Sequence, residues 1–210
     1  MAKGSEELTK ARADEIVDAC AKLYQTMGFR EITIKEISTE TSFSRPSIYN
    51  YFETKEEIFL ALLGREYELW TKDVEKIVET NDHLSAGVLA SALAHTLENR
   101  IPLLKIQAMN LYEIEDRSRE ERLVAFKKTF RKAMLAVERC LTKFLPEMTE
   151  QEKMDFRYSF FPFLYGIYPY VYPTEKQCKA MEQVGLSHPP ISIYDITCRT
   201  LRKLLRTDSE

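Results

Sequence analysis

The chain has 210 residues, 44% hydrophobic and 30% charged, with six glycines and eight prolines; this supports a core and disfavours an all-β sandwich with its many turns. Its net charge of −3 recurs in the first sixty residues, eight Lys/Arg against eleven Asp/Glu, so no basic domain marks a nucleic-acid binder. Met1 to Lys10 lacks an apolar signal core, and the low-charge run Ser159–Tyr172 holds two prolines and is too short to span a bilayer, so a cytoplasmic protein without membrane partners is expected.

Ile16, Ala19, Cys20, Leu23, Tyr24 and Met27 recur at helical spacing and predict a first helix over 8–27, with Gly28 as a left-handed C′ residue. Thr33–Glu36 reads as a capping box opening a short helix to about Thr41, with the Thr33 hydroxyl on the N3 amide. Ser44 is the expected N-cap of the next helix, and Pro46 sits in its first turn. A second box, Thr54–Glu57, opens a long helix to about Glu79. Asn81-Asp82 breaks the pattern; helices follow over 85–100, 103–115 and 117–144, with Pro102 at a joint. Thr149–Glu152 caps an aromatic helix that Pro162 should kink and Pro169 should end. Thr174–Gln177 opens a short helix closed by Gly185, and Ser192 caps a last helix over 193–206. The expected fold is all-α.

Catalysis finds no support. The glycines are isolated, no phosphate loop appears, and His83, His95 and His188 lack partners for a nucleophile. Cys20, Cys140, Cys178 and Cys198 are scattered and read as free thiols, so no metal or cofactor is expected.

Residues 33–52 form two short helices joined by Ser42-Phe43, the length and turn of a helix-turn-helix. The second would present Arg45, Ser47, Tyr49, Asn50 and Tyr51. Arg45 suits a guanine edge, Asn50 an adenine or a phosphate, and the hydroxyls suit phosphate oxygens. Taken alone, the pair is equally readable as a hairpin whose tyrosines merely pack.

The runs Ile34-x-x-Ile37, Phe43-Ser44-Arg45, Ile48-Tyr49-Asn50-Tyr51-Phe52 and Lys55-Glu56-Glu57-Ile58-Phe59 resemble the N-terminal domain of the tetracycline-repressor (TetR) family. Upstream, Ala19, Leu23-Tyr24, Gly28-Phe29 and Thr33 fit that family's first helix and loop, so the resemblance covers about residues 10–60. It implies a homodimer on a roughly palindromic double-stranded operator, released by a small effector. It further implies phosphate contacts at Thr33, Tyr49, Tyr51 and Lys55, and base or near-base contacts at Ser44, Arg45, Pro46, Ser47 and Asn50. Ser42 stands where the family often has a turn glycine; a left-handed Ser would cost about 1 kcal/mol. Pro46 replaces a small residue and removes a backbone donor.

The implied organisation is a helix-turn-helix domain over 1–53, a connecting helix over 54–80, and a larger effector-binding and dimerisation domain over 81–210. From Phe156 to Tyr172 nine of seventeen residues are aromatic, too many for one buried stripe. A subunit seam and a ligand wall are both open destinations. Phe156, Phe160, Phe163, Leu164, Ile196, Leu201 and Leu204 are placed at the seam. Trp70, Met109, Tyr112, Phe126, Phe130 and Tyr165 are placed at a cavity for a largely apolar ligand, with Glu66 and Glu113 as partners should it be cationic.

Overall fold

The structure is a computed structural model that describes residues 2–206, with the side chains of 2–6 and 109 excepted. Among the described residues it holds ten helices and no strand: α1 (Ala2–Leu23), α2 (Ile34–Thr39), α3 (Arg45–Ile48), α4 (Lys55–Thr80), α5 (Ala86–Glu98), α6 (Ile101–Asp116), α7 (Glu120–Phe144), α8 (Glu150–Val171), α9 (Glu175–Gln183) and α10 (Ile193–Leu204). None is long and apolar enough to cross a membrane.

The chain divides into two compact units, one of Met1–Arg65 with Asn110–Thr129, the other of Glu66–Met109 with Phe130–Glu210. The divisions fall inside α4, α6 and α7, and not at residues 53 and 80. Each of these three helices supplies one end to each unit. Sequence periodicity marks a helix and is blind to where along it the packing partners change.

In the first unit Ile16, Cys20, Ile32, Ile37, Ile48, Ile58 and Leu63 are fully buried. Phe59 lies between Tyr24 and Phe29, ring centroids 5.1 and 4.8 Å away in edge-on packing. Burial pushes the Cys20 thiol up to about 12, which leaves it unreactive. The expected left-handed Gly28 is corrected: α1 ends at Leu23 and the next residues tighten into i→i+3 turns. Gly28 has no positive φ, and its N–H donates instead to Glu31 Oε2 at 2.6 Å.

In the second unit α10 buries Ile193, Thr197 and Leu201, one stripe at i, i+4 and i+8. The helix lies against α5, which buries Leu89, Leu93 and Leu97, and also against α8. Tyr194 ties α10 to α5 by stacking on His95 at 4.2 Å and sharing a 2.9 Å hydrogen bond with Ser91.

The capping boxes at Thr149 and Thr174 form as the sequence predicts, each with both reciprocal bonds. Gly185, at φ 69°, closes α9 with Leu186 N–H on Met181 O and its own N–H on Glu182 O. Pro169 does not end α8. Both prolines lie inside the helix, which runs on to Val171. A proline forfeits one backbone bond to the residue four back, and α8's buried face of Phe156, Phe160, Phe161, Leu164 and Ile167 holds the helix across both losses.

Candidate nucleic-acid interface

The first unit builds this surface by fixing one face of a very short helix. Ile48 and Phe52, four residues apart, are buried at 0% and 1% exposure. Their anchoring turns Arg45, Pro46, Tyr49 and Asn50 outward, all four exposed. Backbone bonds from Tyr51 and Phe52 to Ile48 O carry helical turns past the end of α3.

The turn before α3 is held from α1. Glu15 Oε1 accepts the Ser42 N–H at 2.7 Å, and the Ser42 backbone and side-chain bonds hold the Glu15 carboxyl below its usual range. Ser42 is not left-handed, since Arg206 is the only described non-glycine with positive φ. The acid from α1 satisfies the turn in an ordinary conformation, so no turn glycine is required. Glu15→Ala is expected to destabilise the turn slightly by leaving that amide to water, read as a small drop in the urea-unfolding midpoint.

Ser44 has the extended backbone of an N-cap, but its hydroxyl caps no backbone amide. Pro46 occupies the second helical position and offers no N–H there. The hydroxyl instead meets Ser47 Oγ at 2.8 Å. Thr33 caps α2 at Lys35 N–H, the second helical position and not the expected third. Its hydroxyl also bonds the Glu36 carboxylate, which that contact holds below its usual range.

Among the other residues named from sequence, Tyr51 is half-buried and Tyr49 is 44% exposed. Arg45 Nη2 lies 3.5 Å from Tyr49 Oη. Lys55 Nζ donates to Phe29 O at 2.7 Å and Ile32 O at 3.2 Å and sits 4.2 Å from the Phe29 ring centroid. Two of its three donors thus fasten the loop leading to Thr33. Sequence reasoning missed Arg12, an exposed α1 residue whose Nη1 lies 3.4 Å from Tyr51 Oη. Only the fold brings residues 39 positions apart together, so no local motif signals it.

The α6–α7 turn braces the base of this surface. Arg119 donates to Glu57 through Nε at 2.6 Å and Nη2 at 2.8 Å, and its backbone N–H adds a third bond at 3.2 Å. Arg122 Nη2 reaches Tyr51 O at 2.6 Å, and Thr54 Oγ1 reaches Arg117 O at 3.3 Å. The Thr54–Glu57 box is therefore half-formed: Thr54 caps the Glu57 N–H, while the Glu57 carboxylate accepts from Glu53 N–H and Arg119. Burial pushes the Glu57 carboxyl up; the bonds from Arg119 and the two amides outweigh it and hold it below its ordinary value.

Of the residues assigned to a ligand cavity, Trp70 and Phe130 both pack on Tyr67, with ring centroids 6.0 and 5.2 Å away. Tyr112 is 89% exposed and Phe126 is buried, both in the first unit. Trp70, Phe130 and Tyr165 belong to the second, where Tyr165 is 39% exposed. The Met109 side chain lies outside the described residues. Glu113 pairs with Arg117 at 3.7 Å in the first unit, and Glu66 is half-buried in the second. Tyr112 and Tyr165 are thus corrected: the helical period turns them to the surface.

The seam assignment also needs correction. Phe156, Phe160, Leu164 and Leu201 are buried within the single chain, at most 3% exposed, because α8 and α10 use these stripes for their own core. Phe163, Ile196 and Leu204 are half-buried.

Comparison with known proteins agrees with this architecture. Residues 16–62 match the family model for bacterial regulatory proteins of the tetR family, and residues 64–206 match that for the tetracyclin repressor-like C-terminal domain. The uncharacterized HTH-type transcriptional regulator YfiR of Bacillus subtilis (strain 168) is 29% identical over 77 residues, 37% of this chain and 38% of YfiR. HbdR of Aromatoleum sp. (strain CIB), also an HTH-type transcriptional regulator, is 27% identical over 77 residues, 37% of this chain and 34% of HbdR. The match spans little more than a third of each relative's length.

Solved structures align over more of the chain. The fatty acid degradation regulator FadR of Bacillus halodurans superposes with a TM-score of 0.62 at 15% identity, covering 92% of this chain and 94% of its own. FadR of Bacillus subtilis, solved with stearoyl-CoA, gives 0.59 at 14%, covering 91% and 96%. A TetR/AcrR regulator of Thermobifida fusca gives 0.61 at 17%, covering 94% and 98%. At these identities the similarity is one of fold. Because the C-terminal match alone spans more than half of the residues, the chain belongs to the tetracycline-repressor (TetR) family of helix-turn-helix transcriptional regulators.

Proposed function

We propose that this protein is a cytoplasmic, non-enzymatic repressor that binds a roughly palindromic operator as a homodimer and leaves it when a small, largely apolar effector binds the second unit. The observation that carries the reading is the outward face of α3, where Arg45, Pro46, Tyr49 and Asn50 stand exposed on buried Ile48 and Phe52. Arg45 and Asn50 read base edges, with Pro46 against a thymine methyl and Ser44 and Ser47 beside them. Thr33, Tyr49 and Tyr51 contact phosphates, joined by Arg12 and by the remaining donor of Lys55. An acidic unit binds DNA through such placed groups, with no basic patch required. Titration of the protein's own upstream DNA in gel shifts tests the reading; equal affinity for that DNA and for random duplex would overturn it.

The homodimer seam is assigned to the outer face of α8. Met154, Tyr158, Pro162 and Tyr165 recur there at helical spacing and are exposed, with Tyr158 at 71%. An aromatic stripe of this kind suits burial against its own copy across a two-fold axis. Tyr158→Arg places a charge at each side of that axis, and sedimentation velocity is expected to show a shift from dimer to monomer. A wild-type monomer, or an unshifted variant, would remove α8 from the seam.

The effector reading draws support from the second unit's aromatic core. FadR of Bacillus subtilis, which shares the fold, was solved with stearoyl-CoA, and an acyl compound is one effector class that such a core would accept here.

A further inference from the structure

Gln107 is 2% exposed, and its Nε2 has no hydrogen-bond partner. Its Oε1 accepts from Tyr67 Oη, so the amide is oriented and its free edge carries only donors. An unpaired buried amide is costly and rare, and a native fold that keeps one has a use for it. Tyr67 opens onto an aromatic cluster: its ring lies 6.0 Å from Trp70 and 5.2 Å from Phe130. Phe161 lies 5.6 Å from Phe130 and 6.1 Å from Trp70, and Phe160 closes the group at 5.6 Å from Phe161.

Among the described residues, the buried charged side chains are Glu56 and Glu57, both in the first unit. The fully buried polar side chains of the second unit are neutral, namely Thr71, Gln107 and Thr197, so a neutral ligand suits its core better than an ionised one. A cleft of about 320 Å³ in the same unit, beside Phe156 and Leu204, is rimmed by Glu147, Glu152 and Asp155 against Arg206. Its acidic rim suits an apolar acceptor poorly.

We infer that Gln107 is the polar handle of an effector site in this aromatic cluster, taking a ligand with a neutral, apolar body and one hydrogen-bond acceptor such as an ester or ketone oxygen. The inference rests on the proposed effector role of the second unit. Gln107 Nε2 donates to the acceptor, Tyr67 holds the amide in that orientation, and the rings enclose the apolar body. Phe130, the half-buried member, marks the side of entry. The rings touch one another without the ligand, so binding parts them, and that displacement is the change the unit has to transmit.

Trp70 is the chain's single tryptophan and reports on this cluster by fluorescence in the full-length protein. Methyl octanoate is expected to bind and shift its emission. Octanoate, whose ionised carboxylate must shed its water to enter the apolar cluster, should bind at least about tenfold more weakly. Gln107→Leu should weaken methyl octanoate by about tenfold, one hydrogen bond's worth, and leave butylbenzene, which has no acceptor, unchanged. An unperturbed Trp70, or a variant that binds the ester as the wild type does, overturns the inference. If Gln107→Leu does not fold, the carbonyl stretch of ¹³C-labelled methyl octanoate on the wild type decides: a downshift supports the hydrogen bond, and an unshifted band overturns it. Operator release, measured alongside, judges the effector reading separately. Release by other compounds with methyl octanoate silent sinks only the Gln107 site, whereas ester binding through Gln107 with DNA still held by every compound sinks only the effector reading.

Discussion

Arg119→Met is expected to destabilise the first unit, read as a clearly lower urea midpoint, because it leaves the Glu57 carboxylate buried with two amides and no counter-charge. The Glu57 side chain is fully buried at the pair, whereas Arg119 keeps a third of its surface. Removing the cation therefore costs more than the surface pairs elsewhere, such as Lys179–Glu175, where both partners are largely exposed. Glu57→Met combined with Arg119→Met should recover much of the loss, since no buried charge then remains. A double variant as unstable as the single one would place the cost in packing. Urea unfolding of all the variants checks this.

The same pair makes an acid limb expected. The folded Glu57 carboxyl sits below its unfolded value of about 4.3. Its contribution is therefore complete above that value and disappears as pH falls through the lower folded one. In Arg119→Met burial acts with less opposition, so the acid transition should move to higher pH. Because the brace reaches Tyr51 and Thr54 through the neighbouring Arg122 and Arg117, the variant should also loosen the α3 surface before the second unit melts.

Arg45→Ala is expected to weaken operator binding by about 10- to 100-fold, corresponding to roughly 1–3 kcal/mol for one bidentate base contact. Arg45 is exposed and lies 3.5 Å from Tyr49 Oη, so thermal stability should change little. Binding to random duplex should weaken much less, since phosphate contacts carry non-specific affinity and its salt dependence. Gel shifts on operator and random DNA at two salt concentrations separate the outcomes. An equal loss on both duplexes would make Arg45 a phosphate contact, and no loss on either would take it out of the interface.

Much of the candidate surface was legible because its signals are local. Thr33, Ser44 and Pro46 mark helix starts through chemistry acting within three residues. The spacing of Ile48 and Phe52 sets which side of α3 is buried, so the outward turn of Arg45, Tyr49 and Asn50 follows from the helical period. What local reading could not supply are the places where a distant group takes over or shares a local role. Glu15, 27 residues before Ser42, satisfies the turn amide that a glycine conformation was expected to serve. Lys55, placed at a phosphate by the resemblance, also bonds two loop carbonyls. Glu57, read as a capping residue, turns to an arginine 62 positions later.

The aromatic run on α8 shows the same division. Its composition announces that some rings must leave the core, and its capping box fixes where the helix begins. Which rings leave depends on what packs behind them: α8 buries Phe156, Phe160 and Phe161 and leaves Tyr158 and Tyr165 outside. Sequence by itself determined the all-helical class, the helix starts that follow Thr33, Ser44, Thr54, Thr149, Thr174 and Ser192, and the family, because hydrogen bonding and periodicity act over a few residues; the uncapped starts of α1, α6 and α7 fall at Ala2, Ile101 and Glu120 and not at the expected 8, 103 and 117. Tertiary structure alone decided the partners of Arg119, Lys55 and Gln107, because burial and charge pairing depend on which segments meet in space.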